Sequence, residues 1–307
     1  MDPVKARETL LAAPFTAAEA ERHGLDYSQL LQENVRHISR ELYVPDDNTA
    51  QLRDRVRAHL AVTPQAWASH QTAAALHGLW LPDDAADHSL LHLSKPTDVP
   101  RVRRTGVVGH RVRVKAGEIV ELSAGVRVSS PARTWLDLGN ELGPVGLVIL
   151  GDELLRIPRP GLEGRAVPHA TKGALAALLR AHPNMPGVAK CRAALADMRV
   201  GADSPQETLL RLSLLAHGFP EPELQIALRP NDPFSPSADM GYPSVKVAIQ
   251  YDGSHHLSEE QRWRDARRDA AFRAAGWIVL IVRSEDCQND FASVRAALRG
   301  HLAGRAA

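Results

Sequence analysis

At 307 residues the chain is too long for one ordinary compact core and fits two or three domains of usual size. Its 44% hydrophobic and 24% charged residues are those of a soluble globular protein, and no run of about eighteen uncharged apolar residues is present to span a bilayer. A net charge of +1 excludes attraction to nucleic acid by bulk electrostatics, so any DNA affinity has to come from local clusters.

The opening residues scatter Asp2, Glu8, Glu19 and Glu21 among short apolar stretches, unlike a secretory signal, and a cytoplasmic location with no membrane partner is expected. Only Cys191 and Cys287 are present, far apart, which gives neither a disulfide framework nor a zinc knuckle; both are expected to be buried and reduced.

In chain order, "FTAAEAERHG" sets Thr16 three residues ahead of Glu19, the spacing of a capping box, and Gly24 follows as terminator, predicting a helix over 16–23. The next stretch, "LDYSQLLQENVRHISRELYVP", predicts a second helix with Leu30, Leu31, Val35 and Ile38 on its apolar side, ending in an extended "ELYVP". Residues 1–50 thus form a small winged-helix pattern, in which Arg36 and Arg40 fit either DNA contact or a solvated face.

Residues 51–160 give an α+β module. A small-residue helix in "WASHQTAAALHGLWLP" is capped by Ser69 and ended by Gly78. Strands follow in "HSLLHLSKP", "TGVVGHRVRV" and "EIVELSAGVRVSS", then a helix in "PARTWLDLGNEL" with Pro131 in its first turn. His70, His77, His88, His92 and His110 fall on different elements and are read as structural or surface imidazoles rather than a metal cluster. Arg101, Arg103, Arg104, Arg111 and Arg113 surround an expected hairpin and fit a phosphate backbone or a solvated strand face. The first fifty residues, with "SHQTAAALHGL", "VSSPARTWLDLG" and "GDELLR", resemble type IV antitoxin-like regulators of the abortive-infection kind, which implies contact with DNA or a protein partner through the N-terminal or middle domain. Residues 161–200 read as a helical connector interrupted by Pro183 and Pro186.

Residues 201–307 carry the chemistry. Ser204 caps a helix with Pro205 in its first turn and Glu207 at its third position. A strand in "LQIALRP", two more across "SADMGYPSVKVAIQYDGSHH", a helix in "SEEQRWRDARRDAAFRAAG", the strand "WIVLIVR" and a last helix give the order αβββαβα around a mixed sheet. Val245, Val247 and Ile249 alternate with Lys246, Ala248 and Gln250 as in a half-buried strand. Gln250 and Asp252 share a strand face, and Asp239 meets them across the hairpin. Two or three carboxylates at a sheet end suit a divalent cation that hydrolyses a phosphodiester; the alternative makes Asp252-Gly253 a strand-ending turn and Asp239 a cap. Arg264, Arg267 and Arg268 fit a scissile phosphate or helical ion pairs with their acidic neighbours.

The segments "SPQETLLR", "SADMGYPSVKVAIQYDGSHH" and "RWRDARRDAAFRAAGWIVLIV" resemble the bacterial domain family related to the very-short-patch mismatch repair endonuclease, within the PD-(D/E)XK superfamily. The resemblance covers about the last hundred residues. It implies a restriction-endonuclease-like fold and a DNA hydrolase of repair or phage defence that uses Mg2+ or Mn2+. It assigns metal binding to Asp239, a helix-borne acid to Glu207, a metal ligand or water-orienting role to Asp252, and an acid/base imidazole to His255 or His256. Two departures stand out: Gln250 replaces the usual Glu, retaining an oxygen ligand without its charge, and Asp252 stands where many relatives of the superfamily carry Lys. A non-catalytic DNA-binding regulator, or an antitoxin, built on a degenerate core is the competing expectation.

Overall fold

The computed structural model describes residues 8, 10–30, 35–45, 50–85, 89–123, 125–159, 163–232, 234–253 and 259–303. The chain is mixed α+β and divides into two compact units, one of residues Met1–Gly143 with Leu175–Cys191, the other of Pro144–Ala174 with Arg192–Ala307. His88, His255 and His256 lie outside the described residues. Within those residues, no helix is long and apolar enough to cross a membrane.

The first unit opens with β1 (Phe15–Thr16), α1 (Ala17–Arg22), α2 (Tyr27–Leu30), β2 (Val35–Ser39) and β3 (Leu42–Pro45), the strands ordered β1-β3-β2. The capping box forms as its spacing predicts: Glu19 N donates to Thr16 Oγ1 at 3.1 Å and Thr16 N to Glu19 Oε2 at 2.7 Å. The helix expected through Ile38 does not form, because Val35 and Ile38 belong to β2. Glu41 takes a left-handed φ of 64°, closing a tight turn that pairs the β-branched Val35 side of the hairpin with Pro45. Leu10, Phe15, Ala20, Leu25, Leu30 and Tyr43 make the small core beneath.

The same unit continues with α3 (Leu52–Ala61), β4 (Trp67–Ala68), α4 (His70–His77), β5 (Leu91–Pro96), β6 (Val107–Val112), β7 (Ile119–Ser123), β8 (Val126–Ser129) and α5 (Pro131–Asp137). The sheet runs β6-β5-β4-β8-β7. β5 and β6 pair in parallel, so the segment between them is a crossover and not the expected hairpin. Arg104 within it points inward, donating to Ser39 Oγ, Arg40 O and Val62 O at 3.1, 2.7 and 2.5 Å, which removes it from any phosphate-tracking stripe.

The second unit begins with α6 (Pro144–Leu155). The chain then forms α7 (Lys172–Ala181) and α8 (Val188–Asp197), and the rest of the unit is α9 (Pro205–Ala216), β9 (Glu223–Ala227), β10 (Ser237–Tyr242), β11 (Val247–Asp252), α10 (Glu259–Ala274), β12 (Ile278–Arg283), α11 (Ser284–Gln288) and α12 (Ala292–Ala303). The sheet order is β12-β11-β10-β9. β9, β10 and β11 are antiparallel, while β12 returns through α10 to lie parallel to β11. One sheet face packs Met240, Val247 and Ile249 against Leu210 and Leu214 of α9 and Leu298 of α12. On the other face, Ala238 and Ala248 meet Phe272 of α10.

β11 is therefore buried on both faces rather than one, and it starts at Val247. Val245 closes a single 3₁₀ turn and Lys246 takes a left-handed φ of 53°. Cys191 is buried as expected, and Cys287 is half-buried.

Candidate functional site

In the second unit, one of the expected acids, Glu207, lies in the field of another, Asp239. Ser204 in extended conformation caps α9. Its Oγ accepts from Glu207 N at 3.3 Å and donates to Glu207 Oε1 at 2.9 Å, while Asp203 N donates to Glu207 Oε2 at 2.9 Å. Glu207 is thus both capping residue and buried acid, with 6% of its surface exposed. Burial first, and the neighbouring charge of Asp239 second, push its carboxyl up to about 7. Asp239 on β10 is half-buried and is also shifted upward, by burial above all. The Tyr251 N–H that it accepts at 2.7 Å and the guanidinium groups of Arg268 and Arg159 act in the opposite direction. Arg159 pairs with Asp203 at 2.5 Å and lies in the field of both Asp239 and Glu207.

Gln250 does not turn outward to join these acids. It is 1% exposed, takes the Asp239 N–H on its Oε1 at 3.3 Å, and donates from Nε2 to Ser237 O at 3.5 Å. Asp252 ends β11 opposite Arg283, half-buried. Among the described residues of this unit, no three His, Cys, Asp or Glu ligand atoms lie within 4.8 Å of one another.

On α10, Arg264 is exposed and pairs with Glu260 at 3.3 Å, and Arg268 pairs with Asp265 at 3.0 Å, so the helical ion pairs form. Arg267 is exposed beside Trp263, whose indole is 69% exposed. Arg36 and Arg40 are exposed on and just after β2 in the first unit, the latter 3.5 Å from Glu41.

The first unit holds a constellation that sequence reading dispersed. His70, His92 and His110 converge, each offering a ligand atom within 4.8 Å of the others. His92 Nδ1 lies 3.1 Å from His110 Nε2, and the His70 and His110 rings stack with centroids 3.7 Å apart. Two strands bring two of them together: in the parallel register Ser94 opposes His110, so His92 is its diagonal neighbour on one face. His70 arrives from the start of α4 with a left-handed φ of 51°, a costly backbone for a non-glycine residue.

Ser69, expected to cap α4 through its side chain, instead uses Oγ to hold His70 Nδ1 at 2.9 Å and to accept from Ser94 Oγ at 2.7 Å. Burial lowers all three imidazoles, and mutual repulsion adds to it for His70 and His110, which both fall to about 3. His70 and His110 are therefore neutral at physiological pH. The cluster opens on a cleft of ≈ 930 Å³ whose wall includes Glu141, Arg101, Arg111 and His182. Glu141 Oε1 sits 3.8 Å from His70 Nε2, and burial followed by Asp137 raises its carboxyl to about 6. Beneath the cleft, buried Arg133 binds Asp137 at 2.8 Å and Glu118 at 2.5 Å, and Glu118 also meets His182 Nε2 at 2.6 Å.

The chain resembles two curated relatives. The uncharacterized protein Rv2248 of Mycobacterium tuberculosis (strain ATCC 25618 / H37Rv) is 26% identical over 235 residues, covering 75% of this chain and 79% of the relative. The uncharacterized protein MT2308 of Mycobacterium tuberculosis (strain CDC 1551 / Oshkosh) aligns with the same identity and coverage. A match of that length exceeds either compact unit, so the similarity draws on both. No family model matches the chain.

Proposed function

We propose that the second unit is a metal-dependent DNA endonuclease core of the PD-(D/E)XK kind, serving DNA repair or phage defence. The observation that carries this reading is that buried Glu207 lies in the field of Asp239, with burial first and that charge second raising its carboxyl to about 7. Two carboxylates whose ionisation burial opposes, one of them in the field of the other, gain from a cation that neutralises them. The order αβββαβα with an antiparallel meander and a parallel fourth strand supports the same reading.

The donors suit Mg2+ or Mn2+ because they are oxygens: Asp239 and Glu207 would hold the ion, while Asp252 at the end of β11 does not close on them within 4.8 Å and would have to turn in to join. Such an ion, when bound, supplies an activated water and stabilises negative charge on phosphate. The protein's own contribution lies around it. Tyr251 N–H fixes the Asp239 carboxylate, Ser204 fixes Glu207, and Arg268 and Arg159 place positive charge beside the acids, where a phosphodiester would be held. Residues 1–50, with two short helices and the sheet β1-β3-β2, would act as a winged-helix module for DNA or a protein partner.

A panel of single-stranded, duplex and mismatched DNA incubated with Mg2+ or Mn2+ tests the proposal: cleavage is expected, and Asp239→Ala is expected to abolish it. One observation favours a second reading, a DNA-binding regulator on an inactive core: Gln250 is committed to the backbone of β10. Protein that shifts duplex DNA yet leaves every substrate intact, with Gln250→Glu restoring cleavage, would establish that alternative.

A further inference from the structure

We propose that His70, His92 and His110 form a binding site for a first-row divalent transition-metal ion of the Zn2+ class, with Glu141 as the fourth donor from the cleft. The site lies wholly within the first unit and does not rest on the nuclease reading.

Four observations carry it. The first is distance. Two nitrogens on one tetrahedral zinc, at bonds of about 2.0–2.1 Å, stand roughly 3.3 Å apart. His92 Nδ1 and His110 Nε2 are already 3.1 Å apart, and a metal would take the place of the single proton between them. The third imidazole contributes an atom within 4.8 Å of both, so closure needs side-chain adjustment and no movement of strands.

The second is orientation. Ser69 Oγ, which accepts from Ser94 Oγ, also holds His70 Nδ1 at 2.9 Å, so Nε2 is the ring nitrogen left to face the cleft and ligate. Ligating histidines characteristically have their other ring nitrogen held in this way. The third is the acid. Glu141 Oε1 is 3.8 Å from His70 Nε2, too far for a hydrogen bond, and lies outside the group of atoms within 4.8 Å of one another, so it would reach a shared ion by a turn of its side chain.

The fourth is strain: a helix-starting residue with φ 51° at the junction of β4 and α4 is retained where the side chain is needed in one place. Three imidazoles and one carboxylate select zinc or its neighbours over Mg2+, which prefers an all-oxygen shell.

Full-length protein stripped with a chelator is titrated with ZnCl2 by calorimetry, in excess Mg2+. One ion per chain is expected. Ser69→Ala, which removes only the outer-shell partner, is expected to weaken binding about 10-fold, and His92→Ala by more than the ~100-fold upper range of an outer-shell loss, with unchanged far-UV circular dichroism. Asp239→Asn is expected to leave the isotherm unaltered, which separates this site from the carboxylates of the other unit.

So that the test does not depend on the folding of a histidine variant, the wild-type ring nitrogens are also followed by NMR. Zn2+ is expected to shift the signals of three imidazoles, those of His70, His92 and His110. Absence of a stoichiometric isotherm, or Zn2+ shifts at other histidines while these three stay in place, overturns the proposal. So does a folded His92→Ala that binds as wild type does.

Discussion

Glu207 makes native stability depend on pH in the sense opposite to an ordinary ion-paired acid. Its carboxyl titrates near 7 in the fold against 4.5 as the ordinary value, so between those limits the native state keeps a proton that the denatured chain has released. The stability that goes with this is complete below 4.5 and is lost as pH rises through 7, a difference on the order of 3 kcal/mol. Glu207→Gln removes the titration but keeps an amide oxygen for Asp203 N, at the cost of about 1 kcal/mol of charge-assisted capping. The larger effect wins. Thermal midpoints in metal-free buffer should place the variant above wild type at pH 8 and level with it, or below it, at pH 5; a wild-type advantage at pH 8 would show that the buried charge is not destabilising. Much of this acid's setting was legible, because Ser204, Pro205 and Glu207 spell a capped helix start in three local letters. The inward turn of Gln250 was not: face alternation fixes which side of β11 a residue occupies, while the bond to Asp239 N depends on a partner strand eleven residues away.

Elements whose partners are near in sequence, such as α1, α9 and the meander β9-β10-β11, follow from caps and alternation. Two elements were misread, one set by an adjacent turn and one by a distant partner. Val35 and Ile38 satisfy a helical period and a strand equally well, and the turn at Glu41 decides for the strand. The parallel pairing of β5 with β6 has no local signature, and without it His92 and His110 look unrelated. The cleft wall depends on a similar long-range approach. Gly187 has φ 81°, and a Cβ there would stand 2.2 Å from the backbone carbon of Gly139 and 2.4 Å from Asn140 N, where neither backbone can retreat. Gly187→Ala should therefore combine left-handed strain with overpacking and lower stability by about 2–4 kcal/mol in urea unfolding. Gly143→Ala, with nothing within 4 Å, should stay within about 0.5 kcal/mol. Equal midpoints for the two variants would mean that the close approach is not maintained in solution.

Across the whole molecule, the sequence boundary near residue 201 is chemically incomplete, because the second unit also draws on α6. Asp152 of that helix accepts from Arg211 Nη2 at 2.7 Å, Thr208 Oγ1 at 3.0 Å and Arg199 N at 2.6 Å. The Arg211 side chain is fully buried, so loss of Asp152 leaves a guanidinium without its principal counter-ion in a place that water does not reach. Removing one partner of such a pair costs about 3–5 kcal/mol, a large share of the roughly 5–15 kcal/mol that holds an ordinary domain together. Asp152→Ala in the full chain is expected to lose amide protection first in α9 and in β9–β12. Asp152→Asn, which keeps an acceptor for Thr208 and for Arg199 N, should lose less. A fragment of residues 201–307 lacks the aspartate altogether and should unfold without a cooperative transition in calorimetry, whereas a sharp transition from that fragment would show that Arg211 finds its compensation inside the last hundred residues.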